Sequence, residues 1–293
     1  MELDYCIAGG GILGLLIAKE LRQSFPEAQI ILCEKECYLG EHSTARNSGV
    51  LHSGIYYPTN GLKHLMCIKG NEMWDHLADF FSVKINRCGK FIFSSNKEEQ
   101  AQLEELFQHG IKNKVPGQRY ATKSEINTLS EVCHIDQAIF CPTTAVLDIP
   151  EILKELEYYL GEKDIYILKE NEILNVKKTD TFFDVESSRE KFKSKYFINA
   201  AGGYAVNIRK MLSLTNLDNY WVKGNYLRYN KKFYTKNLLY PLPLKNLKGL
   251  GVHTSFSSDG IVRFGPNAVE TSEYEYKMDE KIIDEMSPAI EKI

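Results

Sequence analysis

Long apolar runs are missing from this chain of 293 residues. The longest uninterrupted apolar stretch covers residues 12–18, whereas a helix that crosses a bilayer needs about 20 apolar residues. The N-terminus has no cationic region followed by an apolar segment and a small-residue cleavage site. The sequence therefore predicts neither a transmembrane helix nor a secretory signal peptide, and we expect the mature chain to start at residue 1.

Paired spacing is missing among the cysteines. The chain has seven cysteines, an odd number, and no two of them form a C-x-x-C pair. A disulfide framework needs an even set in a small secreted domain, and most structural zinc sites need paired ligands at short spacing. We therefore expect reduced thiols, no metal site and a cytoplasmic location.

An excess of charge of one sign is also missing. The 36 basic and 39 acidic residues give a formal net charge of −3, and no basic block stands out, so we expect no nucleic-acid partner. Hydrophobic residues make up 43% and charged residues 26% of the chain, which is close to globular averages. The composition favours a folded globular protein, of about two domains by its length, with a small-molecule ligand.

A glycine-rich turn near the N-terminus is the strongest local pattern. Residues 5–8 have the composition of a short strand, the segment after them has helical periodicity as far as Ser24, and residues 29–33 resemble a second strand. Glycine is needed where backbone closely approaches a pyrophosphate, and an acid about 20 residues further on accepts ribose hydroxyls. The pattern predicts a dinucleotide-binding unit that uses Gly9, Gly11, Gly14 and Glu34.

The identity of the dinucleotide stays open at this point, because the same turn serves nicotinamide and flavin cofactors. Residues 44–57 place guanidinium, amide, hydroxyl, imidazole and phenol groups among glycines. Such a density of hydrogen-bond donors is typical of a site for an anionic, polar ligand. A polar surface loop is the alternative interpretation.

The remaining pattern indicates two sheets that alternate along the chain. Apolar periodicity predicts helices over 62–81, 98–109 and 149–160, and Gly110 and Gly161 are placed to end the last two. Short β-rich runs between 165 and 200 predict a meander that returns to the first sheet. The aromatic, strand-rich region 220–264 predicts a second, antiparallel sheet.

Nine segments carry a family resemblance. They are residues 8–14, 46–57, Lys63 with Cys67 and Gly70, 88–90, 199–202, 223–226, 240–243, 251–253 and 264–268. In this order they resemble the FAD-dependent oxidoreductases of the D-amino-acid oxidase superfamily, and within it they are most similar to L-2-hydroxyglutarate oxidase/dehydrogenase. Segments 46–57 and 264–268 discriminate best, because the whole superfamily shares the glycine turn and residues 199–202.

The resemblance implies an α/β fold in which a Rossmann-like FAD-binding domain is interleaved with a β-rich substrate domain. The expected bounds are 1–85 and 145–215 for the FAD-binding domain, and 86–144 and 216–293 for the substrate domain. The implied cofactor, FAD, would lie across the strand ends with its ring facing the substrate domain. The residues implied to bind it are Gly9, Gly11, Gly14, Glu34, Ser43, Thr44, Arg46, Asn47, Ser48, Ala200, Ala201 and Gly202.

The resemblance also implies oxidation of a 2-hydroxy acid, most specifically L-2-hydroxyglutarate to 2-oxoglutarate, by hydride transfer to FAD. A neutral histidine suits the base that accepts the hydroxyl proton, and His52 and His253 are the candidates. Cationic and phenolic groups suit a dicarboxylate substrate, and the candidates are Tyr56, Tyr57, Lys223 and Tyr226. A structural histidine and aromatic strand packing remain alternatives for these positions.

The chain departs from the family pattern at its C-terminal end. Family members continue with a glycine-bearing loop and a helix that close over the flavin, and nothing equivalent follows Ala268. We expect this closing segment to be absent, with a second polypeptide as one possible source of it. A smaller departure is Ala145, where the family pattern has glycine.

Other functions remain open at the level of sequence. One alternative is a flavoenzyme that acts on an amino acid, an N-methyl amino acid or glycerol 3-phosphate. Another is an inactive or complementing fragment of such an enzyme. The resemblance favours a quinone or another respiratory-chain acceptor, and with it peripheral contact with the inner membrane.

Overall fold

The computed structural model describes residues 2–243, 251–257, 260–291 and 293. The chain divides into two compact units, and each is assembled from two separate stretches. The first unit comprises Met1–Asn47 and Ile149–Asn219, and the second comprises Ser48–Asp148 and Tyr220–Ile293. Each unit buries a hydrophobic core of its own.

The described residues form eighteen strands and seven α-helices, numbered here in chain order. The strands are β1 (Glu2–Ala8), β2 (Ile30–Cys33), β3 (Val50–Leu51), β4 (Ile85–Asn86), β5 (Lys90–Ser94), β6 (Arg119–Tyr120), β7 (Gln137–Cys141), β8 (Ala145–Leu147), β9 (Tyr166–Leu168), β10 (Ile173–Lys178), β11 (Phe183–Ser187), β12 (Lys191–Asn199), β13 (Trp221–Lys223), β14 (Leu227–Tyr229), β15 (Leu238–Pro241), β16 (His253–Phe256), β17 (Val262–Gly265) and β18 (Val269–Thr271). The helices are α1 (Ile12–Ser24), α2 (Leu62–Phe81), α3 (Gln100–Lys112), α4 (Lys123–Leu129), α5 (Ile149–Glu162), α6 (Ala205–Met211) and α7 (Ile282–Ile290).

The first unit is built on a six-stranded sheet of order β10-β11-β12-β1-β2-β9. β1 pairs in parallel with both β12 and β2, and β2 pairs in parallel with β9. All four residues of β2 are buried, as is typical of a parallel strand covered on both faces. The succession β1, α1 and β2 confirms the strand, turn, helix and strand predicted from residues 5–33.

The predicted meander is present in the same sheet. β10, β11 and β12 pair antiparallel in sequence order, and β12 then lies in parallel beside β1. Val176, Val185 and Phe192 alternate with partly or fully exposed residues and contribute to the buried core. β9 does not belong to the meander, because it pairs with β2 instead.

The second unit contains four small sheets, ordered β15-β5-β7-β6, β14-β17-β16, β13-β18 and β3-β8-β4. Its β-rich character agrees with the prediction for region 220–264, but the strands of that region do not form a single antiparallel sheet. β15 pairs in parallel with β5, and β7 pairs antiparallel with the other side of β5. All five residues of β5 are buried, so a partner on each side satisfies its backbone hydrogen bonds.

The helices begin close to their predicted positions, but two predicted helix ends are wrong. α3 continues through Gly110 to Lys112. Gly110 serves close packing instead, because a Cβ there would collide with the Gln118 side chain. α5 continues through Gly161, and the left-handed residue beyond its end is Asp164, with φ +52°. Within the described ranges, no helix combines the length and apolar character needed to cross a membrane.

The bounds of the two units differ from the predicted domain bounds mainly over residues 48–85. In this stretch, β3 and β4 both pair with β8, which places them in the second unit. Residues 48–85 were instead expected to lie in the cofactor-binding domain. The assignment of one function to each domain stays a prediction.

Candidate active site

The turn between β1 and α1 requires glycine at two positions. Gly9 has φ +107°, and a Cβ on it would lie 2.5 Å from the carbonyl oxygen of Ala200. A Cβ on Gly14, in the first turn of α1, would collide with the carbonyl oxygen of Gly9. The strand and the helix therefore approach as closely as a dinucleotide-binding turn demands.

Gly11 differs from its two neighbours in the motif, because its surroundings are open. Within the described residues, only Thr44 Oγ1 would lie within 4 Å of a Cβ on Gly11, at 3.1 Å. The same oxygen accepts a hydrogen bond from the Ile12 amide at 3.1 Å. Gly11 is the N-cap of α1 and has no side chain that could bind the first amides. This end of α1 can therefore receive a phosphate.

Glu34 follows β2, and its carboxylate connects the glycine turn to the end of this strand through hydrogen bonds. Its Oε2 accepts a hydrogen bond from the Gly10 amide at 2.7 Å, and its Oε1 accepts one from the Glu36 amide at 2.9 Å. The residue is buried. A carboxylate has about four acceptor positions, so Glu34 keeps the capacity to accept ribose hydroxyls.

A cavity of about 290 Å³ opens within the first unit beside this turn. Nine of the twelve residues predicted to bind the cofactor line it: Gly9, Gly11, Glu34, Ser43, Thr44, Asn47, Ala200, Ala201 and Gly202. Gly14 does not line the cavity, because it is packed against the Gly9 carbonyl in the first turn of α1. Arg46 Nε donates a hydrogen bond to the Glu41 carbonyl at 2.9 Å, and Ser48 belongs to the second unit.

Sequence reasoning missed a polar group that also lines this cavity. The Lys35 ammonium lies 4.5 Å from the centroid of the Tyr204 ring, and the His42 ring lies 5.6 Å from it. Lys35 and His42 both contact the Glu36 carboxylate, and the hydrogen bond from Lys35 lowers the pKa of that carboxyl. The available signals were the position of Lys35 directly after Glu34 and that of Tyr204 after the two glycines at 202 and 203.

Both predicted base candidates lie in the second unit. His52 is partly buried directly after β3, and its carbonyl accepts hydrogen bonds from Asn71 Nδ2 at 2.9 Å and Cys67 Sγ at 3.3 Å. His253 is 4% exposed, and its Nδ1 lies 2.8 Å from the Gly251 carbonyl oxygen. A carbonyl can only accept, so Nδ1 donates the proton and the Nε2 lone pair stays available in the neutral ring.

Both histidines are neutral near pH 7. Burial lowers the pKa of His52 to about 3, aided by Lys90 and, in acid where it is protonated, by His253. Burial also lowers the pKa of His253 to about 4, and the Lys90 charge adds to this effect. Each ring is therefore in the protonation state that accepts a proton.

Lys90 is a second residue that sequence reasoning left without a role. It is the first residue of β5, and its side chain is fully buried. Its Nζ lies 4.8 Å from the ring centroid of Tyr56 and 4.6 Å from that of Tyr240. Segment 88–90 belonged to the family resemblance, but a lysine at a strand end gave no sign of burial.

The predicted substrate-binding residues have different surroundings in the structure. The Tyr56 hydroxyl is buried and has no hydrogen-bond partner within the described ranges. Tyr226 is hydrogen-bonded to Ser48, and burial raises the pKa of its phenol. The Lys223 ammonium is paired with Glu275 and also donates to the Lys277 carbonyl at 2.7 Å. Burial also raises the pKa of Tyr57.

Comparison with known protein families identifies the family of this chain. The chain matches the DAO family, described as FAD dependent oxidoreductase, over residues 4–293. The chain belongs to this family. Its members use FAD for oxidation and reduction, so FAD is the cofactor of this chain.

Relatives in the DAO family agree with this assignment. The chain is 31% identical over 276 residues to an L-2-hydroxyglutarate dehydrogenase of Indibacter alkaliphilus, which covers 92% of this chain and 68% of that protein. It is also 31% identical to the human mitochondrial L-2-hydroxyglutarate dehydrogenase, over 92% of this chain and 61% of that protein. The chain therefore spans about two thirds of the length of these relatives.

A solved structure supports the DAO fold. The L-α-glycerophosphate oxidase of Mycoplasma pneumoniae, reduced with dithionite and with FAD bound, has a TM-score of 0.84 and 25% identity. The match covers 98% of this chain and 78% of that chain.

The cavity of the first unit fits the adenosine diphosphate part of FAD. Gly11 leaves space at the N-terminus of α1 for phosphate, and Gly9 lets the turn pass close to the Ala200 backbone. Glu34 has acceptors for the ribose, and Thr44 and Asn47 add polar groups to the wall. The contacts of Gly9 with the Ala200 backbone and of Gly14 with the Gly9 carbonyl leave no room for side chains at these two positions. The role of each of these residues towards FAD stays a prediction.

Proposed function

We propose that this DAO-family chain catalyses the FAD-dependent oxidation of a 2-hydroxy acid, namely L-2-hydroxyglutarate to 2-oxoglutarate. The observation that carries the proposal is His253, a buried histidine that is neutral, has a fixed tautomer and lies close to the buried Lys90. The names of the relatives support the choice of substrate. The glycine turn and Glu34 support the choice of an FAD-dependent reaction.

His253 is the proposed base. Its Nε2 accepts the hydroxyl proton of the substrate, and the two electrons of the O–H bond form the carbonyl bond at C2. The C2 hydrogen would leave with both electrons of its bond as a hydride, and FAD, when bound, would supply the acceptor. The Gly251 carbonyl and the Tyr240 ring hold the imidazole in place, so little reorganisation is needed when the proton moves.

His52 is the second candidate for the base. It is also neutral, and its backbone is held by Asn71 and Cys67. No contact among the described residues fixes the tautomer of its ring. His253 is therefore preferred, and His52 is proposed to contact the substrate.

The experiment that tests the function is a substrate panel with the purified, FAD-loaded protein. Reduction of an artificial dye is measured with L-2-hydroxyglutarate, D-2-hydroxyglutarate, L-lactate, glycine, sarcosine and glycerol 3-phosphate. We expect the highest kcat/KM for L-2-hydroxyglutarate, with 2-oxoglutarate as the product. Faster turnover of glycine, sarcosine or glycerol 3-phosphate would refute the proposed substrate.

We also propose a quinone as the electron acceptor, reached by peripheral contact with a membrane. The word dehydrogenase in the names of the relatives supports an acceptor other than oxygen. A soluble quinone analogue is expected to reoxidise the reduced protein faster than air-saturated buffer does, and the protein is expected to co-sediment with lipid vesicles. Faster reoxidation by oxygen would contradict the proposed acceptor.

A further inference from the structure

Lys90 is a buried lysine without a counter-ion, and burial lowers the pKa of its ammonium group. Its side chain is fully buried, and its Nζ has no hydrogen-bond partner within the described residues. A charged group removed from water is costly unless it is paired. The cation–π contacts with Tyr56 and Tyr240 compensate for only part of this cost. An anionic partner beside Nζ would satisfy its hydrogen-bonding capacity and favour the charged form of Lys90.

The two rings beside Lys90 have unused polar groups of their own. The hydroxyls of Tyr56 and Tyr240 are both buried, and neither has a hydrogen-bond partner among the residues that the structure describes. An ammonium and two phenols together offer several donors. A carboxylate has about four acceptor positions and no donor, so its chemistry complements this group.

The other titratable groups near Lys90 cannot serve as its counter-ion at neutral pH. They are Cys67 on α2, Cys141 at the end of β7, and the two histidines His52 and His253. Burial raises the pKa of both thiols, so they stay protonated and uncharged. Both imidazoles are neutral as well. No described carboxylate forms an ion pair with Lys90.

We propose that Lys90, together with the hydroxyls of Tyr56 and Tyr240, binds a carboxylate of the substrate. This inference rests on the proposed function for the identity of the substrate, and it assigns the cationic role to Lys90 rather than to Lys223. The Lys223 ammonium is already paired with Glu275, whereas Lys90 has no such partner among the described residues.

The position of Lys90 also links binding to the strength of the base. The Tyr240 ring contacts the Lys90 ammonium and also stacks on the His253 ring, with centroids 3.8 Å apart. The positive charge of Lys90 lowers the pKa of His253. A carboxylate paired with Lys90 offsets this charge and raises the pKa of the histidine. The base is therefore stronger when substrate is bound.

The test uses glutarate, a dicarboxylate that lacks the hydroxyl group and cannot be oxidised. Its binding to the FAD-loaded protein is measured by calorimetry for the wild type and for Lys90→Met, Lys90→Arg and Lys84→Met. Met keeps the length of the lysine side chain without its charge, and Lys84 is an exposed lysine of the same unit. We expect Lys90→Met to weaken binding about tenfold or more, as expected for the loss of a charged hydrogen bond. We expect Lys90→Arg to retain part of the affinity and Lys84→Met to bind like the wild type.

Unchanged glutarate affinity in a folded, FAD-loaded Lys90→Met protein would overturn the inference, and so would a lack of glutarate binding to the wild type. Tyr56→Phe and Tyr240→Phe each remove only a hydroxyl, so they test the site if Lys90→Met does not fold. Each is expected to raise the dissociation constant several-fold, and two unaffected variants would contradict the site. Lys90-dependent glutarate binding in a protein that oxidises no 2-hydroxy acid would support the inference and refute the proposed function.

Discussion

The imidazole of His253 stacks on the phenol ring of Tyr240, with ring centroids 3.8 Å apart and planes 24° from parallel. His253 lies at the start of β16, and Tyr240 lies on β15. The stacking, together with the hydrogen bond to the Gly251 carbonyl, gives the ring one orientation and one tautomer. A base whose geometry is fixed before substrate arrives has little orientational entropy left to lose.

Replacement of His253 by Gln is expected to reduce kcat by about 10²–10⁴, the usual contribution of a positioned general base. The amide has similar polarity but accepts a proton poorly. FAD content is expected to stay at the wild-type level, because all predicted cofactor contacts except Ser48 lie in the other unit. The measurement is steady-state dye reduction together with the flavin absorbance of each purified protein. If His52→Gln lowers kcat more than His253→Gln does, the assignment of the base is reversed.

Gly11→Ala and Gly14→Ala are expected to impair different properties. The first is expected to weaken FAD binding, and the second to lower the free energy of unfolding. A Cβ at position 11 approaches only Thr44 Oγ1 within the described residues, so the variant folds, but the methyl group occupies phosphate space and weakens FAD binding. A Cβ at position 14 collides with the Gly9 carbonyl, and a destabilisation of about 1–3 kcal/mol is expected from overpacking. Urea unfolding of the FAD-free proteins and flavin titration separate the two effects. Equal loss of stability in both variants would contradict the assigned roles.

Glu34→Gln tests the carboxylate that joins the turn to β2. Glu34 accepts one amide hydrogen bond on each oxygen, and Gln can accept only on its single oxygen. We expect a destabilisation of about 1–3 kcal/mol from the lost charged hydrogen bond, and weaker FAD binding because an acceptor for the ribose is also lost. The measurements are urea unfolding without FAD and a flavin titration. An unchanged affinity for FAD would show that Glu34 serves only the turn.

Acid is expected to destabilise the protein through its buried histidines. The folded-state pKa of His253 is about 4, against about 6.5 in an unfolded chain. The unfolded state therefore binds more protons below about pH 6.5, so the stabilisation is complete above that pH and is lost as the pH falls towards 4. By about pH 5 the loss from His253 alone is on the order of 2 kcal/mol. Unfolding curves at several pH values should show a shallower dependence for His253→Gln, and an identical dependence would argue against a neutral, buried His253.

Local chemistry explains why the cofactor-binding turn could be predicted. A turn of three residues between a strand and a helix depends on neighbouring residues alone, and glycine is required there for steric reasons. The adjoining strands and α1 have clear periodicity, so β1, α1 and β2 appear where residues 5–33 predicted them. The family resemblance extended this prediction to FAD, and the match over residues 4–293 supports it.

The dinucleotide-binding turn, the family and the order of the main elements could thus be read from local sequence patterns. Tertiary structure decided which polar groups have partners. Lys90 and Lys223 are both lysines at strand ends, yet Lys90 is buried between two phenols and Lys223 is paired with Glu275. That difference depends on strands far apart in the chain, such as the parallel pairing of β15 with β5. Burial and charge pairing are properties of the folded neighbourhood, so no local pattern could have distinguished the two lysines.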